Sequence, residues 1–198
     1  MIDIILLFIA ITAFIATNLD DLFVLMIFFM HPDYKNNQIV IGQYIGISSL
    51  ILISTIGYFF KFFIPSTFIG LLGIFPVIIG LKKLLKLRKK DESDNSGNRK
   101  ENRFISRPIS SSVFPVAVIS FTNGGDNIGV YAPFFATLSI NQLYFVILIF
   151  LVMIGMWCFI SYKLVNNRRL GGRIREYGHL ILPFVLILIG ISILVHAV

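Results

Sequence analysis

Six stretches of this sequence, about 2–30, 38–60, 67–87, 109–137, 142–163 and 179–197, are apolar over the roughly 20 residues that a helix needs to cross a bilayer. Leu, Ile, Val and Phe fill all faces of most of them, whereas a helix on a soluble domain keeps one polar face. Backbone in lipid must satisfy its hydrogen bonds internally, which a helix does within a single segment. The expectation is an all-α integral membrane protein with six transmembrane helices, its main partner the lipid bilayer. Composition agrees: 14% of residues are charged, against about 25% in soluble domains, so too little polar surface remains to dissolve a monomer. The start, Met1-Ile2-Asp3, lacks the basic n-region and small-residue cleavage site of a secretory signal, and the first stretch reads as a retained helix.

Basic residues set the topology. With six spans, the loops after the first, third and fifth lie on one side. They hold Lys35, the cluster from Lys82 to Arg107, and Lys163, Arg168, Arg169, Arg173 and Arg175, which makes 16 of the 17 Lys and Arg. The other side holds Lys61. Cytoplasmic loops carry the positive excess, so both termini are expected outside a bacterial plasma membrane. The net charge of +7 is thus a lipid-facing loop charge; without interleaved aromatics or a known module it does not suggest nucleic acid.

Two motifs share one frame. Thr17-Asn18-Leu19-Asp20-Asp21 and Thr122-Asn123-Gly124-Gly125-Asp126-Asn127 both read Thr-Asn-x-x-Asp, 105 positions apart. A weaker echo joins Ile78-Ile79-Gly80-Leu81 to Leu188-Ile189-Gly190-Ile191, at an offset of 110. The chain therefore divides into a first three-helix repeat (1–87), a basic cytoplasmic linker (88–108) and a second three-helix repeat (109–198). Three is odd, so the second half runs through the membrane inverted. Inverted repeats are a signature of secondary transporters, whose sites lie at the midplane between the halves.

Each motif lies deep in its span. An Asp at the centre of a membrane helix costs about 2.5–3.5 kcal/mol on insertion scales and marks ion pathways or proton relays more often than packing. Asp20, Asp21 and Asp126 are such residues, and no Lys, Arg or His stands beside them in the spans. Either they are partly protonated, bonded across helices, or they hold a cation. Positions i and i+3 share a helix face, so Asn18 aligns with Asp21 and Asn123 with Asp126. Carboxylate and amide oxygens are hard ligands, and the charge favours a divalent ion. The candidate metal or substrate ligands are Asn18, Asp20, Asp21, Asn123, Asp126 and Asn127, with Thr17, Thr122, Gly124 and Gly125 in support. Gly124-Gly125 lowers helix propensity by about 1 kcal/mol per residue relative to Ala, and an unwound turn there would free carbonyls to face a ligand. The first helix has no such glycines and reads as continuous.

Other positions read as structural. Cys158 is expected to be an inert buried side chain, with Met156 a second sulfur nearby; a single cysteine excludes an internal disulfide or zinc ribbon. Gln43 and Tyr44 could line a cavity but read first as interfacial or packing residues, and Trp157, too deep for an interface belt, reads as packing. Pro76 and Pro183 fall inside helices and Pro115 and Pro133 bracket the second motif, as membrane helices tolerate.

The strings ATNLDDLFVLMIFF, GLLGIFPVIIGLKKLL and TNGGDNIGVYAPFFATLS resemble the bacterial cadmium-resistance transporter family, within the wider lysine-exporter superfamily. The resemblance runs along the whole chain. It implies export of Cd²⁺ from the cytoplasm, giving metal resistance, by proton-coupled alternating access, with the six candidate residues above at the site. No resident cofactor is expected. Cd²⁺ is soft, yet it matches Ca²⁺ in size, and an oxygen cage binds weakly enough to release it.

Two other classes compete. The carboxylates would pair equally with the ammonium of an amino acid or organic cation, although few aromatics (Phe23, Phe121, Tyr131) lie beside them. An intramembrane aspartyl protease would need two facing carboxylates, but its GxGD signature is absent, Asn123 standing in place of the first glycine. An enzyme is therefore not expected. Six helices are few to enclose a path, which leads to the expectation of a homodimer.

Overall fold

The computed structural model describes residues 4–63, 71–90, 113–165, 184, 187–191 and 193–194. All its regular elements among these are helices: α1 (Ile4–Met30), α2 (Asn36–Ser54), α3 (Ile56–Phe63), α4 (Ile74–Lys90), α5 (Val113–Asn123), α6 (Gly125–Ala136) and α7 (Ile140–Val165). Ile4–Met30, Asn36–Phe59 and Ile140–Val165 are each long and apolar enough to cross a membrane. The fourth stretch is divided at Gly124 into α5 and α6. Only part of the third expected span is described, and most of the sixth, with most of the linker, lies outside the described residues.

Helix α1 is unbroken through Asp20 and Asp21. Its 27 residues span about 40 Å, more than the roughly 30 Å of a hydrocarbon core. In α4, Pro76 stands in the first turn rather than mid-helix, because the helix starts at Ile74; a first-turn N–H has no intrahelical partner to lose. Helix α7 opens with a capping box, Ser139 N donating to Gln142 Oε1 at 2.8 Å and Gln142 N to Ser139 Oγ at 3.4 Å. Helix α2 opens on half of the same device, Lys35 N donating to Gln38 Oε1 at 3.1 Å.

Two pairings organise the bundle. Helix α1 runs parallel to α7: the Phe14 ring meets Phe150 at 5.5 Å and Trp157 at 5.8 Å, and Phe29 meets Tyr162 at 5.7 Å further along. Helix α2 runs parallel to α5 at unusually close range, through Gly42-x-x-x-Gly46. A Cβ on Gly42 would lie 2.5 Å from Val116 Cβ, and one on Gly46 2.8 Å from both Ala117 O and Ser120 Cβ. Small residues that let backbones approach are the usual glue of membrane helices, where lipid removes the hydrophobic incentive to associate. The same approach continues upward, Leu50 lying against Gly124 and Gly57 against the backbone of Ala132. Between pairs the helices oppose: α1 is antiparallel to α5 and α6, and α2 to α7, where Tyr44 OH donates to Leu151 O at 3.1 Å. The end of α1, the start of α2, the start of α5 and the end of α7 thus gather at one end, together with Lys35 and with Lys163, whose ammonium stands 5.5 Å over the Phe159 ring.

The outward faces are apolar and exposed, for example Ile5, Phe8, Leu52, Phe114, Leu148 and Phe159. Such a surface suits lipid, not water. Of the described buried polar residues, all but Ser54 and Ser161, namely Thr17, Asn18, Asp21, Gln43, Ser120 and Asn127, lie at the crossing of α1, α2, α5 and α6.

Candidate functional site

Two chains of hydrogen bonds run through that crossing, and each can be given a direction. The first starts at Thr17. Its hydroxyl lies 3.0 Å from Ala13 O, to which it donates, as Thr in a helix commonly does. Its oxygen is then free to accept from the Tyr131 hydroxyl, 2.6 Å away. Asn18 Nδ2 donates to Tyr131 OH at 2.6 Å and to Phe14 O at 2.9 Å, which turns Asn18 Oδ1 the other way, where it accepts from Asn127 Nδ2 at 3.1 Å. The chain ends on Asn127 Oδ1, which is buried and has no hydrogen-bond partner among the described residues.

The second chain starts at Ser120 on α5. Its hydroxyl donates to Gln43 Oε1 on α2 at 2.5 Å, and Gln43 Nε2 donates to Asp21 Oδ2 on α1. It ends on Asp21 Oδ1, also buried and without a partner among the described residues. The Asn123 amide faces the Asp21 carboxylate as a side-chain donor, but beyond hydrogen-bond length, so that its buried Nδ2 is also without a partner among the described residues. An unpaired buried polar atom costs about 1–3 kcal/mol, so two acceptor oxygens left open at one crossing ask for an explanation.

The surroundings hold the cluster in place. Trp157 Nε1 donates to Asn18 O at 2.7 Å, pinning α1 to α7 at the motif itself. The Tyr131 ring is fixed by Phe150 at 4.8 Å and by a stacked Phe135 at 6.0 Å. With Phe14, these rings form an aromatic layer on the side of the cluster toward Ile4 and Ile140. At the opposite end, a cleft of about 260 Å³ is lined by Phe29, Val40, Cys158 and Tyr162 among others.

Of the residues singled out in the sequence, Thr17, Asn18, Asp21, Asn123 and Asn127 meet at this crossing. Asp20 and Asp126 are half-buried at its margin: Asp20 Oδ1 accepts from Asp21 N at 3.1 Å, and Asp126 occupies the first turn of α6, in electrostatic range of the Tyr131 hydroxyl, as Asp21 is too. Among the described residues no three His, Cys, Asp or Glu side chains come together, so most of the oxygens and nitrogens here are neutral. Thr122 is exposed and bonds its own helix, to Val118 O at 2.8 Å. A Cβ on Gly125 would meet nothing within 4 Å. Gly124 is the packed one of the pair, and the interruption is a single residue, with Gly124 N bonded to Ser120 O and Asn127 N to Gly124 O, each at 3.0 Å. The helix is therefore interrupted at one residue rather than unwound over a stretch.

Gln43, Ser120, Tyr131 and Trp157 also belong to the cluster; in the sequence Gln43 reads first as interfacial or packing, Tyr131 only as an aromatic beside the motifs, Trp157 as packing, and Ser120 does not stand out. A signal for Gln43 was present: it stands between the two glycines of the close α2–α5 contact, where a polar side chain must find a partner on the neighbouring helix. Cys158 is buried while Met156 is half exposed, so the two sulfurs do not face one site.

Neither among curated proteins nor among solved structures does anything match this chain. The family model described as cadmium resistance transporter matches residues 14–198, a span that takes in both motifs, every helix after the first turns of α1 and all the residues of the polar crossing, and the chain belongs to that family.

Proposed function

We propose that this membrane transporter exports a divalent cation, Cd²⁺ foremost, from the cytoplasm by proton-coupled alternating access. The observation that carries the reading is the pair of directed hydrogen-bond chains ending on Asp21 Oδ1 and Asn127 Oδ1. Each chain spends its own donors on the protein and leaves an acceptor at its end, which suits a hard cation, and the open Asn123 amide beside Asp21 can turn its oxygen to the same ion. The ion is held between α1 and α6 by these two oxygens, with Asn18 and Asn123 beside them and Asp20 and Asp126 on the approach, as ligands or proton carriers. Thr17, Gly124 and Gly125 shape the surroundings. A ligand set of one buried carboxylate and neutral amides binds Cd²⁺ less tightly than thiolates would, and an exporter must let its ion go.

In this reading the chain is two inverted three-helix halves, 1–87 and 109–198, joined by the cytoplasmic linker 88–108. In support, α1 is antiparallel to its counterpart α5–α6 and α2 to its counterpart α7. The pairings α1–α7 and α2–α5 are the two that a twofold axis in the membrane plane would exchange. The starts of α2 and α7 also share the dipeptide Asn-Gln (37–38 and 141–142), whose Gln caps the helix in both. Placing the Lys35 and Lys163 end in the cytoplasm of a bacterial cell puts both termini outside. The aromatic layer of Phe14, Tyr131, Phe135 and Phe150 is then the outer barrier. A homodimer is the proposed assembly.

The test is flux of Cd²⁺, Zn²⁺, Ca²⁺ and Mg²⁺, each alone, in proteoliposomes with and without a pH gradient. The expected result is Cd²⁺ movement that accelerates when protons can run the other way. Uptake of a dipeptide or a quaternary amine with no metal flux would replace the metal reading by an organic-cation one.

A further inference from the structure

Asp21 sits deep in the bundle, yet only one of its oxygens is open. Gln43 Nε2 occupies Oδ2, and Gln43 is itself held by Ser120. All three side chains are almost wholly buried, at 2%, 1% and 0% exposure. An amide such as Gln43 has two faces, an acceptor and a donor, and a free one could turn either toward a neighbour. The carboxylate accepts only, so it takes the NH₂ end, and the carbonyl end is left to accept from the Ser120 hydroxyl at 2.5 Å, which anchors the amide in that sense. The register that makes this possible is the Gly42–Gly46 contact: with a Cβ on Gly46 only 2.8 Å from Ser120 Cβ, α2 and α5 lie as close as helices can at that level.

A carboxylate gives a metal one oxygen or two. Large ions such as Ca²⁺, and Cd²⁺ of the same size, accept both at bond lengths of about 2.3–2.6 Å, while Zn²⁺ and Mg²⁺, with bonds near about 2.0–2.2 Å, fit single-oxygen carboxylates better. With Oδ2 taken, Asp21 has one oxygen to give.

We infer that Gln43, anchored by Ser120, is a specificity-determining positioning residue that restricts Asp21 to single-oxygen ligation and so moderates the advantage of large divalent ions over small ones. The inference rests on the reading that Asp21 binds the transported cation. Neither Gln43 nor Ser120 touches the ion; they act through Asp21.

The test compares initial rates of Cd²⁺ and Zn²⁺ transport in proteoliposomes for the wild type, Gln43→Met, Ser120→Ala and Asp21→Asn, each at matched reconstituted amounts. Gln43→Met keeps length and apolar bulk but frees Oδ2. The ratio of KM for Zn²⁺ to KM for Cd²⁺ is expected to rise about tenfold in Gln43→Met, the worth of one hydrogen bond to a charged group. Ser120→Ala, which leaves Gln43 in place but without its anchor, should move the same ratio in the same direction by less. Should Gln43→Met fail to reconstitute, Ser120→Ala decides alone. A fall in rate for both metals with an unchanged ratio in every variant that reconstitutes would overturn the inference and make the pair structural. Wild-type rates and ratio in Asp21→Asn would instead overturn the reading beneath it, that Asp21 binds the ion.

Discussion

Asn127 Nδ2 donates to Asn18 Oδ1 at 3.1 Å, so the second motif is tied to the first by one amide–amide bond across the bundle. That bond leaves Asn127 Oδ1 as the open end of its chain. Asn127→Leu removes both the bond and the open oxygen, and orphans Asn18 Oδ1. Cd²⁺ resistance of cells carrying this variant is expected to fall to the level of cells lacking the transporter, while the tagged protein remains in the membrane fraction. Resistance kept at half of wild type or better would take Asn127 out of the site.

Asp126 stands at the margin, in the first turn of α6. If it serves the ion as ligand or proton carrier, Asp126→Asn abolishes resistance without reducing the amount of protein in the membrane. Full resistance in that variant would remove Asp126 from the proposed site while leaving Asp21 in it.

Thr17 and Tyr131 are coupled through a 2.6 Å contact between hydroxyls. Thr17→Val and Tyr131→Phe each delete one partner of a buried hydrogen bond, at an expected cost of about 1–3 kcal/mol apiece. The double variant should lose less than the sum, because the bond between the two hydroxyls can be lost only once. Thermal unfolding of the purified proteins in detergent measures all three. Strict additivity would mean the two hydroxyls do not depend on one another.

The glycines give an internal control. Gly46→Leu drives a side chain into Ala117 O and Ser120, and overpacking of this kind costs about 1–3 kcal/mol or more, with α2 and α5 pushed apart. Gly125→Ala meets nothing, and gains up to about 1 kcal/mol of helix propensity. Melting temperatures in the same detergent should therefore move in opposite directions, the first down and the second level or up.

Trp157→Phe keeps a ring against Phe14 but deletes the 2.7 Å bond to Asn18 O. Transport is expected to slow several-fold with little loss of protein from the membrane. An unchanged rate would reduce Trp157 to the packing part that its sequence context suggests.

Much of this was legible in the sequence for a physical reason. Lipid makes a carboxylate expensive, so Asp20, Asp21 and Asp126 stand out against their apolar segments, and Gly124-Gly125 marks where the fourth stretch breaks. Gln43 did not stand out, because a polar residue a few positions into a helix looks interfacial until the register of α2 on α5 is known. That register comes from Gly42 and Gly46, which are visible in the sequence but name no partner. Ser120 was hidden in the same way, and Tyr131 was visible only as a ring beside the motifs: each hydroxyl gains its part when a second helix brings it to an amide. The repeat misleads about Thr122. It shares a frame with Thr17, yet Thr17 faces Tyr131 while Thr122 faces outward, and either can satisfy its hydroxyl on its own helix. Trp157 was hidden by depth, being too far from the interface for an anchoring role and so assigned to packing alone.

The single-residue interruption at Gly124 has an electrostatic consequence. A helix carries roughly half a positive charge at its first turn and half a negative charge at its last. Dividing the fourth stretch therefore places a fresh positive pole at mid-depth, at Gly125 and Asp126, where the sequence supplies no Lys or Arg. The negative pole of α5 falls at Asn123, one turn away from it. The protein thus sets a small pair of opposite poles at the heart of an oily bundle without spending a basic side chain, and the Asp126 carboxylate stands on the positive one.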